Sequence, residues 1–503
     1  MKSKDGKNRS RGRSAMKVLI DAAAAPAALV YPAYADEPFP FRLGEAGRKA
    51  ESVTWLYGRT EGDDDVLAAG MGRRGELTLE RVRRAGGASA RALLREGRGN
   101  ALLVREPSGL SGAAVTVAGG IAAAEWLQAW LEGWMLGLYR FDAFRQATKT
   151  EGDVELLLRS EDWPEMSGDE LEAVVRTARN RTAGVMLARD RVNEPPEALN
   201  PERFAEWMAE YFSRDDAPVK VRVYRGQELA ERRMNGLIAV GAGGRHEPAL
   251  VEIRYEGDPR LPMLALVGKG VTFDMGGMNV KTGRDISDAR MDMGGAAAVV
   301  GAMDILLRER AKVNVTALIP VVDNLPDSRA MLPSSVIRYP NGLTVQVANT
   351  DGEGRLILAD ALIHAANIGA AEAIDIATLT GNIGVALGLG IAGIWGDEEM
   401  TRELVEIGER NGERLWPMPL MDEYEAELRS DYADLRNVSG STLAGAITAA
   451  LFLRRFVTDS MRWVHIDMAG TVQYKQDVGY SEAGATGYGA RLLADYAVKR
   501  AQR

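Results

Sequence analysis

Between residues 237 and 470 short apolar runs alternate with helix-like ones, and no other feature of this chain constrains its fold more tightly. The strand-like runs are LIAVG (237–241), ALVEIRY (249–255), MLALVG (263–268), VNVTALIPV (313–321), LTVQVAN (343–349), EAIDIATL (372–379) and WVHIDMAG (463–470), with helices expected near 294–310 and 356–367. Such alternation implies an α/β fold: βαβ units, a mostly parallel central sheet flanked by helices on both faces, and a ligand site beyond the carboxyl ends of the strands. The chain has 503 residues, enough for two large domains. The division expected is a basic disordered tail over 1–16, a smaller N-terminal α/β domain over 17–166, a linking helix over 167–192 and a larger domain over 193–503.

The first domain mixes short apolar runs with turns rich in Gly, Arg and Asp, and Lys17 to Ile20 reads as its first strand. Its clearest helix is 122–141, where Trp126, Trp130 and Trp134 recur every four residues. That spacing makes a single aromatic stripe, which predicts core packing rather than a cofactor box. Ser167 opens S-G-D-E, a capping-box pattern, ahead of the amphipathic run that stops before Pro195 and Pro196.

The chain has no cysteine and only three histidines, His246, His364 and His465, far apart in sequence. Disulfide scaffolds, thiolate metal sites and a cysteine nucleophile are thereby excluded, and any metal chemistry must rest mainly on carboxylates. The formal charge is −9, although Lys2, Lys4, Lys7, Arg9, Arg11, Arg13 and Lys17 crowd the first 17 residues against Asp5, leaving −15 on the rest. An acidic body argues against a nucleic-acid surface, which needs cations to displace counterions. The uncharged stretch 376–396 is long enough to span a bilayer, but its six glycines and Thr378, Thr380 and Asn382 predict a buried strand plus loop in a soluble protein with no membrane partner.

Apolar runs here lead directly into charge. MLALVG delivers Lys269, then Asp274 and Lys281; Asp292 precedes an alanine-rich helix; and the run from 343 delivers Asp351, Glu353 and Arg355. Singly, an Asp beside Gly is usually a turn residue and a lone Lys or Arg a solvated charge. Jointly, four acids and three cations converge on one rim, the donor set for a pair of divalent ions about 3.5 to 4 Å apart. Hard oxygen ligands suit Zn, Mn, Mg or Co. Lys269 can join only as a neutral amine, which nearby dications would enforce. Because alternate residues of a strand face opposite ways, Asp351 and Glu353 can converge only in a turn, expected from Gly352 and Gly354. A phosphate-binding P-loop would need Gly where Met263 stands, and no G-x-S-x-G is present, which removes a nucleotide kinase and a serine hydrolase.

These residues resemble the leucyl aminopeptidase (cytosol aminopeptidase) family of dinuclear metallopeptidases. NTDGEGRL (349–356) is similar to its octapeptide, with Gly352 where Ala is usual, and the likeness continues in VGKGVTFDMGG (267–277), DMGGAAAVVGA (292–302), DIATLTGN (375–382), HIDMAGT (465–471) and GATGYGARLL (484–493). The resemblance implies that 193–503 is a catalytic domain. It implies that Asp274 and Glu353 bridge two divalent metal ions, Mn or Zn with Mg or Co as alternatives, that Lys269 and Asp292 complete one site, and that Asp351 completes the other. It further implies that Lys281 polarises the scissile carbonyl and that Arg355 holds a bicarbonate acting as auxiliary base. Thr378, Leu379, Thr380 and Gly381 resemble the substrate-positioning segment. The expectation is a cytoplasmic homohexameric enzyme that cuts the N-terminal bond of short peptides, preferring apolar residues such as Leu. Another two-metal hydrolase, and a DNA-binding or regulatory protein, are the alternative readings.

Overall fold

The computed structural model describes residues 17–60, 62–105, 121–146, 154–213, 218–283 and 285–503; the basic tail over 1–16 lies outside the described residues. The chain divides into two units, one running to Thr182 together with Lys475–Ala483, the other comprising Ala183–Tyr474 and Gly484–Arg503. This differs from the expected uninterrupted 193–503 domain. The boundary falls inside the linking helix, and nine residues from late in the chain belong to the first unit.

In the first unit, β1 (Val18–Ile20), β2 (Leu29–Tyr34), β3 (Val53–Leu56), β4 (Val66–Gly72), α1 (Leu79–Arg95), β5 (Asn100–Leu103), α2 (Ala123–Gly137) and β6 (Glu155–Leu158) form an α/β layer. The sheet order is β1-β6-β5-β2-β4-β3, parallel except for the antiparallel β3–β4 edge. Trp126, Trp130 and Trp134 are core residues on α2, and the first two stack with ring centroids 5.2 Å apart. Helices α1 and α2 touch backbone to backbone: a β-carbon on Gly133 would overlap the carbonyl of Arg83, and one on Gly137 would lie 2.7 Å from Gly87. Within this contact Glu132, fully buried, accepts from Arg83 Nε at 2.7 Å and Arg181 Nε at 2.6 Å. One carboxylate thus bridges two buried guanidinium groups, and Arg83 meets Glu80 as well at 3.5 Å.

Helix α3 (Gly168–Asn193) starts with the anticipated capping box: the Ser167 amide donates to Glu170 Oε2 at 2.8 Å and the Glu170 amide to Ser167 Oγ at 3.3 Å. Leu171, Val175 and Ala178 enter the first core, while Val185, Leu187, Ala188 and Val192 are buried further along, so the helix is packed rather than a free strut.

The second unit continues with α4 (Pro201–Phe212), β7 (Val219–Arg225), α5 (Gln227–Glu231), α6 (Asn235–Gly241), β8 (Ala249–Glu256), β9 (Leu264–Gly268), β10 (Gly270–Asp274), α7 (Gly294–Arg308) and β11 (Asn314–Asn324). Then come β12 (Val336–Arg338), β13 (Thr344–Gln346), α8 (Glu353–Asn367), β14 (Glu372–Ala377), α9 (Gly381–Leu387), β15 (Ala392–Gly396), α10 (Glu398–Asn411), β16 (Leu415–Pro417), β17 (Leu435–Arg436), α11 (Gly445–Arg454), β18 (Arg462–Asp467) and, near the C-terminus, α12 (Ala490–Arg500). Nine strands make the main sheet, ordered β16-β15-β18-β14-β9-β11-β8-β7, with β10 also paired to β11. Its centre, β18-β14-β9-β11 with β10, is parallel; the β11–β8, β8–β7 and β15–β18 pairs are antiparallel. The sheet is therefore mixed, with the parallel strands where the charged segments emerge.

Three expectations are corrected. LIAVG is helix α6: a five-residue apolar run carries no period long enough to separate helix from strand, and Leu237 and Val240 are buried at helical spacing. Only Thr344–Gln346 of LTVQVAN is a strand, and it lies in a small β12-β13-β17 sheet outside the main one. Residues 376–396 form the end of β14, the short helix α9 and β15 rather than strand plus loop. Among the described residues no helix is long and apolar enough to cross a membrane.

Two stability predictions follow from buried charge. Glu132→Ala removes the buried carboxylate that both guanidinium groups meet and should cost about 3–5 kcal/mol, read as a lowered urea midpoint. On β8, Glu252 is partly desolvated, yet the His364 imidazole at 2.7 Å and the Arg254 guanidinium pull its pKa down from 4.5 to about 2. A depressed carboxylate stabilises the fold fully above pH 4.5 and loses that contribution as pH falls toward 2. Thermal melts of Glu252→Gln against the parent should therefore differ most at neutral pH and converge near pH 2.

Candidate metal centre

The parallel strands β9, β10, β11, β14 and β18 end at one edge of the sheet: β10, β11 and β18 close on Asp274, Asn324 and Asp467, and β9 and β14 are followed by Lys269 and Thr378. Lys269 is the single residue between β9 and β10. Its amide donates to Ile376 O at 3.1 Å and its carbonyl accepts from Ala296 N at 2.9 Å, so backbone on both sides locks the position. Its ammonium group, almost fully buried, donates to Thr378 O at 2.9 Å and pairs with Asp292 Oδ2 at 2.7 Å and Glu353 Oε1 at 2.9 Å. Burial alone would neutralise this amine, but the charges of Asp292, Glu353 and Asp274 overcome it and hold the proton more tightly than usual.

Asp274 closes β10. Its Oδ1 accepts from Gly276 N and from Asn324 Nδ2, both at 2.9 Å, while Oδ2 pairs with Lys281 Nζ at 2.6 Å. Lys281 also pairs with Asp351. Against its burial, the two lysines keep Asp274 below the usual carboxylate range. Asp351 goes the other way, raised to about 6 by burial and by the charges of Asp274 and Glu353. Burial with those same neighbours pushes Asp292 well above its ordinary value, and its Oδ1 accepts from the Thr378 hydroxyl at 2.8 Å. One ligand oxygen each from Asp274, Asp351 and Glu353 lie within 4.8 Å of one another, a donor set of hard oxygens that fits a divalent cation.

The expected turn is present ahead of Glu353, closed by the Gly352 amide donating to Asn349 O at 3.2 Å, and the helix that follows sets the direction of Glu353. It is the first residue of α8, and Gly352 before it has φ −115°. The two glycines serve close approach. A β-carbon on Gly352 would lie 2.5 Å from Val438 Cγ2, and one on Gly354 would lie 2.6 Å from Cε and 2.8 Å from Nζ of Lys269.

Arg355, one residue further along α8, is buried. Its Nη1 donates to Asn437 O at 2.7 Å and its Nε has no partner. Burial lowers its pKa to about 10, against the attraction of Glu353 and Asp467. Thr378, Leu379 and Thr380 follow β14. The buried carboxylate of Asp467, at the end of β18, accepts from the amides of Leu379 at 3.1 Å and Thr380 at 3.4 Å and from the Thr380 hydroxyl at 2.6 Å. Gly381 opens α9, with nothing within 4 Å of where a β-carbon would stand. All four predicted acids and the three cations thus gather at this edge. Asn324 and Asp467 were not anticipated, although each is the polar last residue of a strand, as Asp274 is.

Comparison with known proteins gives the family of the chain. Residues 186–494 match the description "Cytosol aminopeptidase family, catalytic domain", and residues 43–148 match "Cytosol aminopeptidase family, N-terminal domain". A "Probable cytosol aminopeptidase" of Geobacter sp. (strain M21) is 38% identical over 437 residues, covering 86% of this chain and 85% of the relative. One from Rhodococcus jostii (strain RHA1) is 36% identical over 460 residues, covering 90% and 86%. Among solved structures, the bottromycin maturation enzyme BotP in complex with Mn superposes with a TM-score of 0.82 at 30% identity, covering 95% of this chain and 100% of that one. A tomato leucine aminopeptidase mutant gives 0.81 at 29% identity, covering 96% of each. With both domain types present in order and the relatives spanning most of the chain, the protein belongs to the cytosol aminopeptidase family of metal-dependent aminopeptidases.

Proposed function

We propose that this aminopeptidase holds two divalent ions, Mn or Zn, with Asp274 and Glu353 shared between them, Lys269 and Asp292 completing one site and Asp351 the other. The observation that carries the reading is the convergence of three carboxylates from β10, the loop before α8 and α8 itself, balanced by Lys269 and Lys281. When bound, such a pair polarises a carbonyl and brings the pKa of a water near 7. Lys269 would ligate only after giving up the proton that the acids hold on it, so uptake of metal releases protons.

The remaining work falls to the chain's own groups. Lys281, anchored by Asp274 and Asp351, presents a charge to the carbonyl oxygen of the scissile bond as it becomes anionic. The partnerless Nε of Arg355 suits a small anion, and a bicarbonate there would supply a base where no histidine imidazole is described within the cluster. Thr378–Gly381, tied to Asp467 and to Lys269, would align the peptide backbone. Short peptides with apolar N-terminal residues such as Leu are the proposed substrates, in line with the tomato enzyme's name. A cytoplasmic homohexamer is the proposed working form, from the family resemblance.

Glu353→Ala should lose bound metal, read by elemental analysis, together with hydrolysis of leucine p-nitroanilide, while circular dichroism stays unchanged; full activity in this variant would overturn the assignment. Lys281→Ala should keep its metal content and lose kcat by about 10²–10³-fold, the size seen when one donor to a developing oxyanion is removed. Unchanged kcat would remove Lys281 from that role.

A further inference from the structure

Asn324 ends β11 directly beside Asp274, its register partner across the parallel β10–β11 pair, and is 2% exposed. Its side-chain amide nitrogen donates to Asp274 Oδ1 at 2.9 Å, to Thr350 O at 3.1 Å and to Glu353 Oε2 at 3.3 Å. Its backbone carbonyl accepts from Met275 N at 3.0 Å and Gly277 N at 3.4 Å, pinning the turn that follows Asp274. Two carboxylates and one carbonyl therefore share the two protons of one amide. The amide cannot be turned over, because its oxygen would then face those three acceptors with no proton to offer. The opposite oxygens are the ones that meet the lysines: Asp274 Oδ2 faces Lys281 and Glu353 Oε1 faces Lys269.

We infer that Asn324 is the positioning residue of the metal centre: by tying down one oxygen of Asp274 and one of Glu353, it fixes how far apart the two carboxylates present their remaining oxygens to a cation. Asn324 is not itself a ligand. It acts as the outer hydrogen-bond partners of metal ligands do, orienting acids that would otherwise repel each other out of register. The inference rests on the proposal that Asp274 and Glu353 bind metal, and the test separates the two.

Asn324→Ala and Asn324→Ser are purified with Mn²⁺ present, and affinity is read by competition with a chelator, so the measurement does not require the metal-free form to fold. Both variants should bind Mn²⁺ about 10–100-fold more weakly than the parent. The serine hydroxyl has one proton and too short a reach for both acids, so it should not rescue. A role confined to fold stability would lower the thermal midpoint and leave the affinity of the folded protein unmoved. Parental Mn²⁺ affinity in either variant overturns the inference, provided Glu353→Ala has lost Mn²⁺. Parental affinity in Glu353→Ala instead overturns the metal assignment itself.

Discussion

Four carboxylates at the end of one sheet repel one another, and the whole site depends on cations placed to answer them. At 4 Å, two unit charges near a protein surface interact by about 4 kcal/mol, so the acids could not be held together by backbone alone. Lys269 answers Asp292 and Glu353, and Lys281 answers Asp274 and Asp351. The balance is uneven, and the directions of the pKa shifts record it. Asp274, touched by Lys281 and near Lys269, is held ionised despite its burial, whereas Asp351, further out, rises to about 6 because burial and its acidic neighbours outweigh the one lysine it meets. A site built this way is poised for cations of higher charge, since a dication answers two carboxylates where an ammonium answers one.

Much of this was legible because strands and charges are local patterns. Apolar runs that stop at Lys269, Asp274 and Thr378 place those residues at strand ends whatever the sheet order, and parallel strands put the ends together. What escaped depends on partners distant in sequence. Asn324 looks like any polar residue at the end of a strand until Glu353, 29 residues later, comes back to meet it. The role of Gly354 also needed three dimensions: in sequence it reads as a flexible turn, but in the fold its missing side chain makes room for a lysine 85 positions earlier. The short run 237–241 was ambiguous for a different reason, since five residues sample little more than one helical turn.

The first unit gives the same lesson away from the metal centre. Its tryptophan stripe was visible from spacing four, because that period alone puts side chains on one face. Its buried ion triad was not. Glu132 lies 49 residues from Arg83 on one side and 49 from Arg181 on the other, and no local pattern signals that one carboxylate will serve both.

The nine residues Lys475–Ala483 have a consequence for how this protein can be taken apart. They leave the second unit, pair with the first through Arg140–Glu482 and the Tyr480 contact with Gly87, and return. Chain order and spatial modules are thus interleaved, and no single cleavage point separates them: a fragment starting at Ala183 would carry a stranded loop, and one ending at Thr182 would lack a piece of its own wall. Shuffling these modules between homologues would require three junctions, one after Thr182 and one at each end of the excursion.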